Sequence, residues 1–362
     1  MKKFILIQTI VALALLIAAC GTDYTINTRI NSDGSCVREM VARIDSSKLK
    51  EDLFIIPIDS SWTRNIKMEY DSTKNKTIAI VTVSKKYASV DEMNMEFYQT
   101  DEMTERPNIK VYLKKKFRWF YTKYQYDETY VQQFPFRSFS IYHYLSEEEI
   151  QILIFDNEEL DSIYFIGKDS TERKQIEEEL AKKFDDYIGD NIIEEFYQEL
   201  ILVSQKTNVE FFKTIDLLQE KKRIFNELKS CMACFDEGGD DASVDTLLML
   251  LDVEYGTRAF SELINEDSLA FKVYRKKMET DCYDNLLDDF EHNLELPGTL
   301  LNTNAQKIII GRLKWKFEGE EFIFTDYKMW AESKKTNKWS FIITIAIILL
   351  AISMPLVRKG KK

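Results

Sequence analysis

The 362-residue chain predicts an α+β fold: a mainly antiparallel sheet built from both flanks, a large helical insertion between them, and one C-terminal transmembrane helix. Three observations carry this. Residues 24–130 alternate apolar and polar side chains in short runs bounded by turn residues, the period of half-buried strands. Residues 146–293 change to apolar spacings of three and four, as amphipathic helices do. Alternation then returns at 308–317 and 322–331, and strands gathered apart from helices place a chain in the α+β class.

The elements follow in order. Lys2 and Lys3 precede an apolar run at 4–17 that closes on Leu16-Ile17-Ala18-Ala19-Cys20. A basic start, an apolar stretch and small residues before a cysteine predict a lipoprotein signal peptide over 1–19, with Cys20 the acylated residue. Residues 24–30 and 36–44 read as strands around Asn31-Ser32-Asp33-Gly34-Ser35, where Asp-Gly signals a hairpin. Residues 62–69 and 77–83 read as a second pair around the turn at 71–75. Ser89 with Glu92, and later Ser146 with Glu149, are capping boxes that open helices. Residues 109–130 read as one or two strands. Val111, Leu113, Phe117, Trp119 and Tyr121 fall on one face, and Lys110, Lys114, Lys116 and Arg118 on the other.

Three helical stripes fill the middle. The first is Ile176, Leu180, Phe184, Tyr187 and Ile188; the second is Ile192, Phe196, Leu200 and Val203. The third is Phe211, Phe212, Ile215, Leu218, Phe225 and Leu228. Such stripes make core far more often than cofactor boxes. The chain therefore divides into a signal peptide (1–19), a β-rich part (20–145), a helical insertion (146–293), returning strands (294–338), a membrane helix (339–357) and a tail (358–362).

Residues 341–357 carry no charge. At about 1.5 Å per residue they reach about 25 Å, the short limit for a bilayer span. Trp339 marks one interface, and Arg358, Lys359, Lys361 and Lys362 place the tail in the cytoplasm. Both ends thus predict a bacterial plasma (inner) membrane protein with residues 21–338 outside. Helical spans do not suit an outer membrane of barrels. With short tethers, both ends of the fold are expected within roughly 20 Å of the bilayer.

Net charge is −12, and −18 once Lys2, Lys3 and the four basic tail residues are set aside. That excludes nucleic acid as a partner and disfavours anionic lipid headgroups, although 106–123 is a basic stretch. Beyond Cys20, the cysteines Cys36, Cys231, Cys234 and Cys282 allow three fully paired disulfide connectivities. The Cys231–Cys234 pair follows a helical stripe and precedes Asp236, Glu237, Asp240 and Asp241, with Lys229 the one counterweight. A negative helix end and these acids disfavour a thiolate, so a disulfide of Cys231 or Cys234 with Cys282 is preferred over a redox centre. Cys282 and His292 fit zinc spacing poorly, and 236–241 lacks the order of a calcium loop. No metal or cofactor is expected. His143 and His292 are the only histidines, no Gly-x-Ser-x-Gly, phosphate-loop or His-Glu-x-x-His motif occurs, and no catalytic residue is nominated.

The lipobox, Thr25-Ile26-Asn27 with Asp33-Gly34-Ser35, the run 115–121 (Lys-Lys-Phe-Arg-Trp-Phe-Tyr), and Asp326-Tyr327 with Ala331-Glu332-Ser333 leading to Asn337-Lys338-Trp339 resemble uncharacterised Bacteroidetes-type lipoproteins. The layout is similar to LppM-like lipoproteins over the two flanks, roughly half the chain, with no counterpart to the helical insertion. The resemblance implies an envelope role with lipid or glycolipid ligands. The expected function is that of a non-enzymatic, membrane-tethered lipoprotein that binds an envelope protein partner or helps an assembly. The alternatives are a binder or carrier of lipid and a CxxC redox enzyme.

Overall fold

The computed structural model describes residues 22–49, 53–72, 76–98, 108–153, 161, 163–235, 243–266, 270–279 and 288–359. The signal peptide, Cys20, Cys282, the 236–241 loop and the side chains of Cys231 and Cys234 lie outside what is described.

The first hairpin forms as the alternation requires. Strands β1 (Asp23–Ile30) and β2 (Cys36–Asp45) pair antiparallel from Ile30↔Cys36. Gly34 takes φ +104° in the turn, where Asn31 N donates to Ser35 O at 2.8 Å. Strands β3 (Thr63–Asp71) and β4 (Lys76–Tyr87) extend the sheet. Helix α1 (Val90–Phe97) opens at Ser89, whose hydroxyl accepts from Glu92 N, and buries Val90, Met93 and Phe97. Residues 109–130 are two strands, β5 (Ile109–Phe117) and β6 (Tyr121–Tyr130). The chain reverses at Trp119-Phe120, so the continuous face expected through Trp119 and Tyr121 is interrupted there.

The insertion holds α2 (Glu147–Leu153), α3 (Ser170–Ser204), α4 (Phe211–Thr214), α5 (Leu217–Phe235), α6 (Val244–Tyr255), α7 (Ala259–Glu266) and α8 (Lys272–Glu279). The first two stripes are one 35-residue helix, α3, with a capping box between Asp169 and Glu172. The third breaks at Asp216, whose carboxylate accepts from Leu218 N at 3.0 Å. The new helix phase buries Leu217, Ile224 and Leu228 and leaves Leu218 70% exposed.

Strands then return earlier than expected: β7 (Asp289–Glu295), β8 (Thr299–Thr303), β9 (Lys307–Ile309), β10 (Arg312–Glu318) and β11 (Tyr327–Thr336). Residues 289–293 therefore belong to a strand and not to the helical insertion. Phe290, His292 and Leu294 alternate inward between acidic and amide neighbours, a period that the acidic composition conceals. The described residues form two sheets instead of one, ordered β3-β4-β2-β1-β7-β10-β9 and β5-β6-β11-β8. Both combine strands from the two flanks. Among the described residues all strand pairs are antiparallel but β1–β7, whose long connection runs through β2 to β6 and then the helical insertion; parallel neighbours need a crossover and cannot be joined by a tight turn.

The two sheets enclose one core, in which Met40, Val81, Tyr130, Phe290, Trp315, Phe317 and Phe322 pack together with α1. A second core lies within the helices around Tyr187, Phe196, Leu247 and Phe260. The cores are joined where Gln133 N and Phe134 N donate to Phe322 O and Ile323 O at 2.9 and 2.8 Å. Gly298 holds the β7–β8 corner at φ +90°, and a Cβ there would lie 2.4 Å from Lys334 O and 2.7 Å from Lys335 Cα. Backbone of β11 cannot yield cheaply, so Gly298→Ala is expected to cost about 2 kcal/mol or more. Thermal unfolding of the variant checks this; an unchanged midpoint would show that the corner relaxes freely.

Helix α9 (Lys338–Lys359) follows β11 after Asn337. Among the described residues no helix is long and apolar enough to cross a membrane. The expected span at 339–357 is thus not established by these residues, and of α9 the side chains up to Ile352 are described.

Candidate functional site

The tip of the β5–β6 hairpin is tied to the root of α9. Arg118 and Tyr121 exchange backbone hydrogen bonds of 2.8 and 3.2 Å around the two-residue loop Trp119-Phe120. Asn337 satisfies the rest of this turn. Its backbone N donates to Phe120 O at 2.9 Å, and its side-chain amide donates to Arg118 O at 2.8 Å and Trp119 O at 3.3 Å. Its carbonyl oxygen accepts from Thr122 Oγ1 at 3.1 Å. A single asparagine therefore couples the hairpin to the helix start.

Around this joint the aromatic rings form a collar. Trp339 stacks on Phe117 at 6.2 Å and meets Trp119 edge-on at 5.3 Å, while Phe120 lies 4.9 Å from Phe341. Trp119 Nε1 donates to Thr344 Oγ1 at 2.9 Å. The collar stays open to solvent: Trp119 is 43% and Phe120 42% exposed. Basic side chains surround it, among them the exposed Lys114, Lys116, Arg118, Lys334 and Lys335. The acidic exterior read from net charge is therefore not uniform. Sequence alone marked the basic stretch and Trp339 but not their meeting, because the contact joins residues more than 200 positions apart.

A second constellation is buried between the sheets. Arg38 of β2 donates from Nη2 to Glu128 Oε1 of β6 at 2.8 Å, and both side chains are almost fully buried. Tyr126 hydroxyl donates to the other carboxylate oxygen of Glu128. His292 Nε2 lies 3.0 Å from Thr28 Oγ1 and 3.3 Å from Arg38 Nη1. Arginine can only donate, so Nε2 accepts and the ring proton sits on Nδ1. Nδ1 and Arg38 Nε have no hydrogen-bond partner among the described residues. The guanidinium also sits 5.2 Å from the Phe97 ring of α1.

Burial and charge set the protonation of this group. Burial pushes the Glu128 carboxyl up, but Arg38, His292 and the Tyr126 hydrogen bond together hold it below its ordinary value. Burial also works against the charge on Arg38, and Glu128 outweighs it, so the guanidinium stays protonated. Burial lowers His292 to about 4, opposed by Glu128 and helped by Arg38. The 3.7 Å approach of His292 to Glu128 is consequently no ion pair near neutrality. Neutral imidazole, carboxylate and guanidinium lie together, yet all are sealed inside the core. With substrate access closed, the geometry suits joining the sheets better than chemistry.

The other nominated residues are scattered. Cys36 is a buried free thiol, with its Sγ 3.8 Å from Ser89 O; burial pushes it up to about 11. By backbone, Cys231 and Cys234 fall in the last turns of α5, and the pairing with Cys282 lies outside the described residues. His143 is exposed on a single helical turn, 149 positions before His292 in sequence and not among the partners of that group. Among the described residues no three His, Cys, Asp or Glu are placed to hold a metal ion. A cleft of about 520 Å³ beside α3 is lined by Glu199, Lys206, Asn208 and Phe271, and one of about 650 Å³ beside β7 by Glu291, Glu295, Ile310 and Arg312. Neither is lined by a histidine or a cysteine.

No protein-family model and no curated protein matches the chain, so the expected likeness to Bacteroidetes-type lipoproteins has no match in sequence. Among solved structures the chain is similar to the NMR structure of the Mycobacterium tuberculosis LppM folded domain. Identity is 8% and the TM-score 0.27, over 88% of this chain and 92% of that one. A likeness at that level carries no weight for function.

Proposed function

We propose that this chain is a membrane-anchored lipoprotein whose external domain is held at the bilayer by α9 and acts by contact with an envelope protein instead of catalysis. One observation carries the reading. Phe341, Ile342, Ile343, Ile345, Ile347, Ile348, Leu349, Leu350 and Ile352 are all exposed, and at 100° per residue they cover every face of the helix. A helix apolar all round belongs in a core or in a membrane, and the two described cores are filled without it. Acylation at Cys20 would supply a second anchor, and the basic tail would lie in the cytoplasm. The apolar-ligand reading draws less support, since aromatic side chains fill the space between the sheets.

Extraction of membranes with alkaline carbonate tests this. The full chain, Cys20→Ala alone, and a chain ending at Asn337 should all stay in the pellet, each keeping one anchor or more. The combined variant, carried behind a signal peptide that ordinary signal peptidase removes so that the apolar run 4–17 is not itself an anchor, should move wholly to the supernatant. Release of Cys20→Ala alone would show that α9 does not anchor; retention of the combined variant would refute the two-anchor scheme.

A further inference from the structure

We infer that the β5–β6 hairpin tip enters the same bilayer beside α9 and contacts anionic lipid headgroups through its basic rim. This rests on the anchor reading and extends it to a part of the fold with no apolar span of its own. The depth argument comes from one hydrogen bond. Thr344 accepts from Trp119 Nε1 and stands five residues beyond Trp339, about 7.5 Å further along the helix. Phe120 packs on Phe341, also beyond Trp339. The tip thus lies alongside the first turns of the apolar helix. Hydrocarbon that receives those turns receives Trp119 and Phe120 too.

The side chains suit that depth. Tryptophan and tyrosine prefer the headgroup level, where an apolar ring and a polar edge are both satisfied. Here the indole edge finds its partner on α9, so the ring carries no unmet donor into lipid. Phe117 and Phe120 add apolar surface left open by the fold. Behind the aromatics, the rim of Lys114, Lys116, Arg118 and Lys334 is exposed. The nearby acid Glu332 is already paired with Lys123 at 2.6 Å, which leaves the rim positive. Its complement in a bilayer is the anionic headgroup, attracted by each basic residue near the surface by about fivefold. The acidic remainder of the domain is repelled by the same surface, so charge turns the tip toward the membrane.

Photocrosslinking of the full chain in vesicles tests both levels. Phe120 and Ile347 are replaced in turn by benzoylphenylalanine, and the protein is reconstituted into phosphatidylcholine with or without phosphatidylglycerol. Mass spectrometry then reads the lipid adducts. The expected result is adduct at both positions, with phosphatidylglycerol at position 120 enriched about fivefold over its share of the vesicle. Lys114→Glu with Lys116→Glu should abolish that enrichment while leaving the adduct at 347. Adduct at 347 but none at 120 overturns the hairpin contact and leaves the anchor standing. Adduct at 120 but none at 347 overturns the anchor and keeps the contact. No adduct at either position overturns both, and equal capture of the two lipids at 120 overturns the anionic preference.

Discussion

Glu128→Leu should destabilise the folded domain by about 3–5 kcal/mol, because it strands the Arg38 guanidinium in the core between the sheets. Arg38 donates to Glu128 at 2.8 Å and has no water-facing route, both side chains being nearly fully buried. The loss also removes the acceptor of the Tyr126 hydroxyl. For a domain of this size the change lowers the thermal midpoint on the order of 10 °C. Arg38→Met combined with Glu128→Leu should recover most of that loss, since a packed apolar pair avoids the desolvation of two ions. Unfolding of the wild type, both single variants and the double variant closes the cycle. A double variant as unstable as Glu128→Leu would mean that the cluster contributes packing alone and that charge pairing is not what joins the sheets.

The same cluster shows how far the sequence could be read. Arg38 is in phase with Cys36, Met40 and Ala42, and Glu128 with Tyr124, Tyr126 and Tyr130; a strict count of the strand period would have turned both inward. What the count lacks is the partner: ninety residues separate the two, and pairing of opposite sheets leaves no local trace. Strand β7 was hidden differently, by acidic residues on its outward positions. The hairpin at Trp119-Phe120 carries neither glycine nor asparagine in its loop, the residues that announce such turns. Asn337 supplies from outside the polar contacts that a turn residue would have given. Local signals, by contrast, held well: Ser89 and Ser146 cap their helices as expected, and Asn31 to Ser35 make the first turn.

Strand direction adds a constraint on the two proposed anchors. β11 runs toward the collar and ends at Thr336, and β1 runs the same way, since Tyr124 hydroxyl donates to Ser32 O at 2.8 Å near that end. Asp23 therefore lies at the other end of β1, roughly 30 Å from Ser32. The expectation is that both ends of the fold sit close to the bilayer; on the proposed anchoring, α9 would bring its own end there. At the Cys20 end it requires the strands to lie along the membrane, because two or three residues of tether span only about 10 Å. With Cys20 acylated and α9 in the bilayer, as proposed, the domain would lie on its side with the hairpin tip as its deepest point.

Acid should unfold the domain partly through His292. Its folded value is about 4 against 6.5 for an ordinary histidine. As pH falls below 6.5 the unfolded chain takes up a proton that the folded chain refuses. Stability therefore declines from about pH 6.5 down to about pH 4, by about 3 kcal/mol in full. Glu128, held below its ordinary value, loses its contribution in the same direction as it protonates. Glu321, pushed up to about 7 by burial, acts oppositely: its cost of ionisation is relieved as pH falls from 7 toward 4.5. Comparing the wild type with His292→Gln cancels the Glu321 effect, which both proteins share. A glutamine amide can still meet Thr28 and Arg38, and it takes up no proton. Denaturant unfolding at pH 7 and pH 4.5 should show the wild type losing about 2–3 kcal/mol more than the variant over that interval. Equal losses would mean that His292 is protonated in the folded core, with Glu128 outweighing its burial.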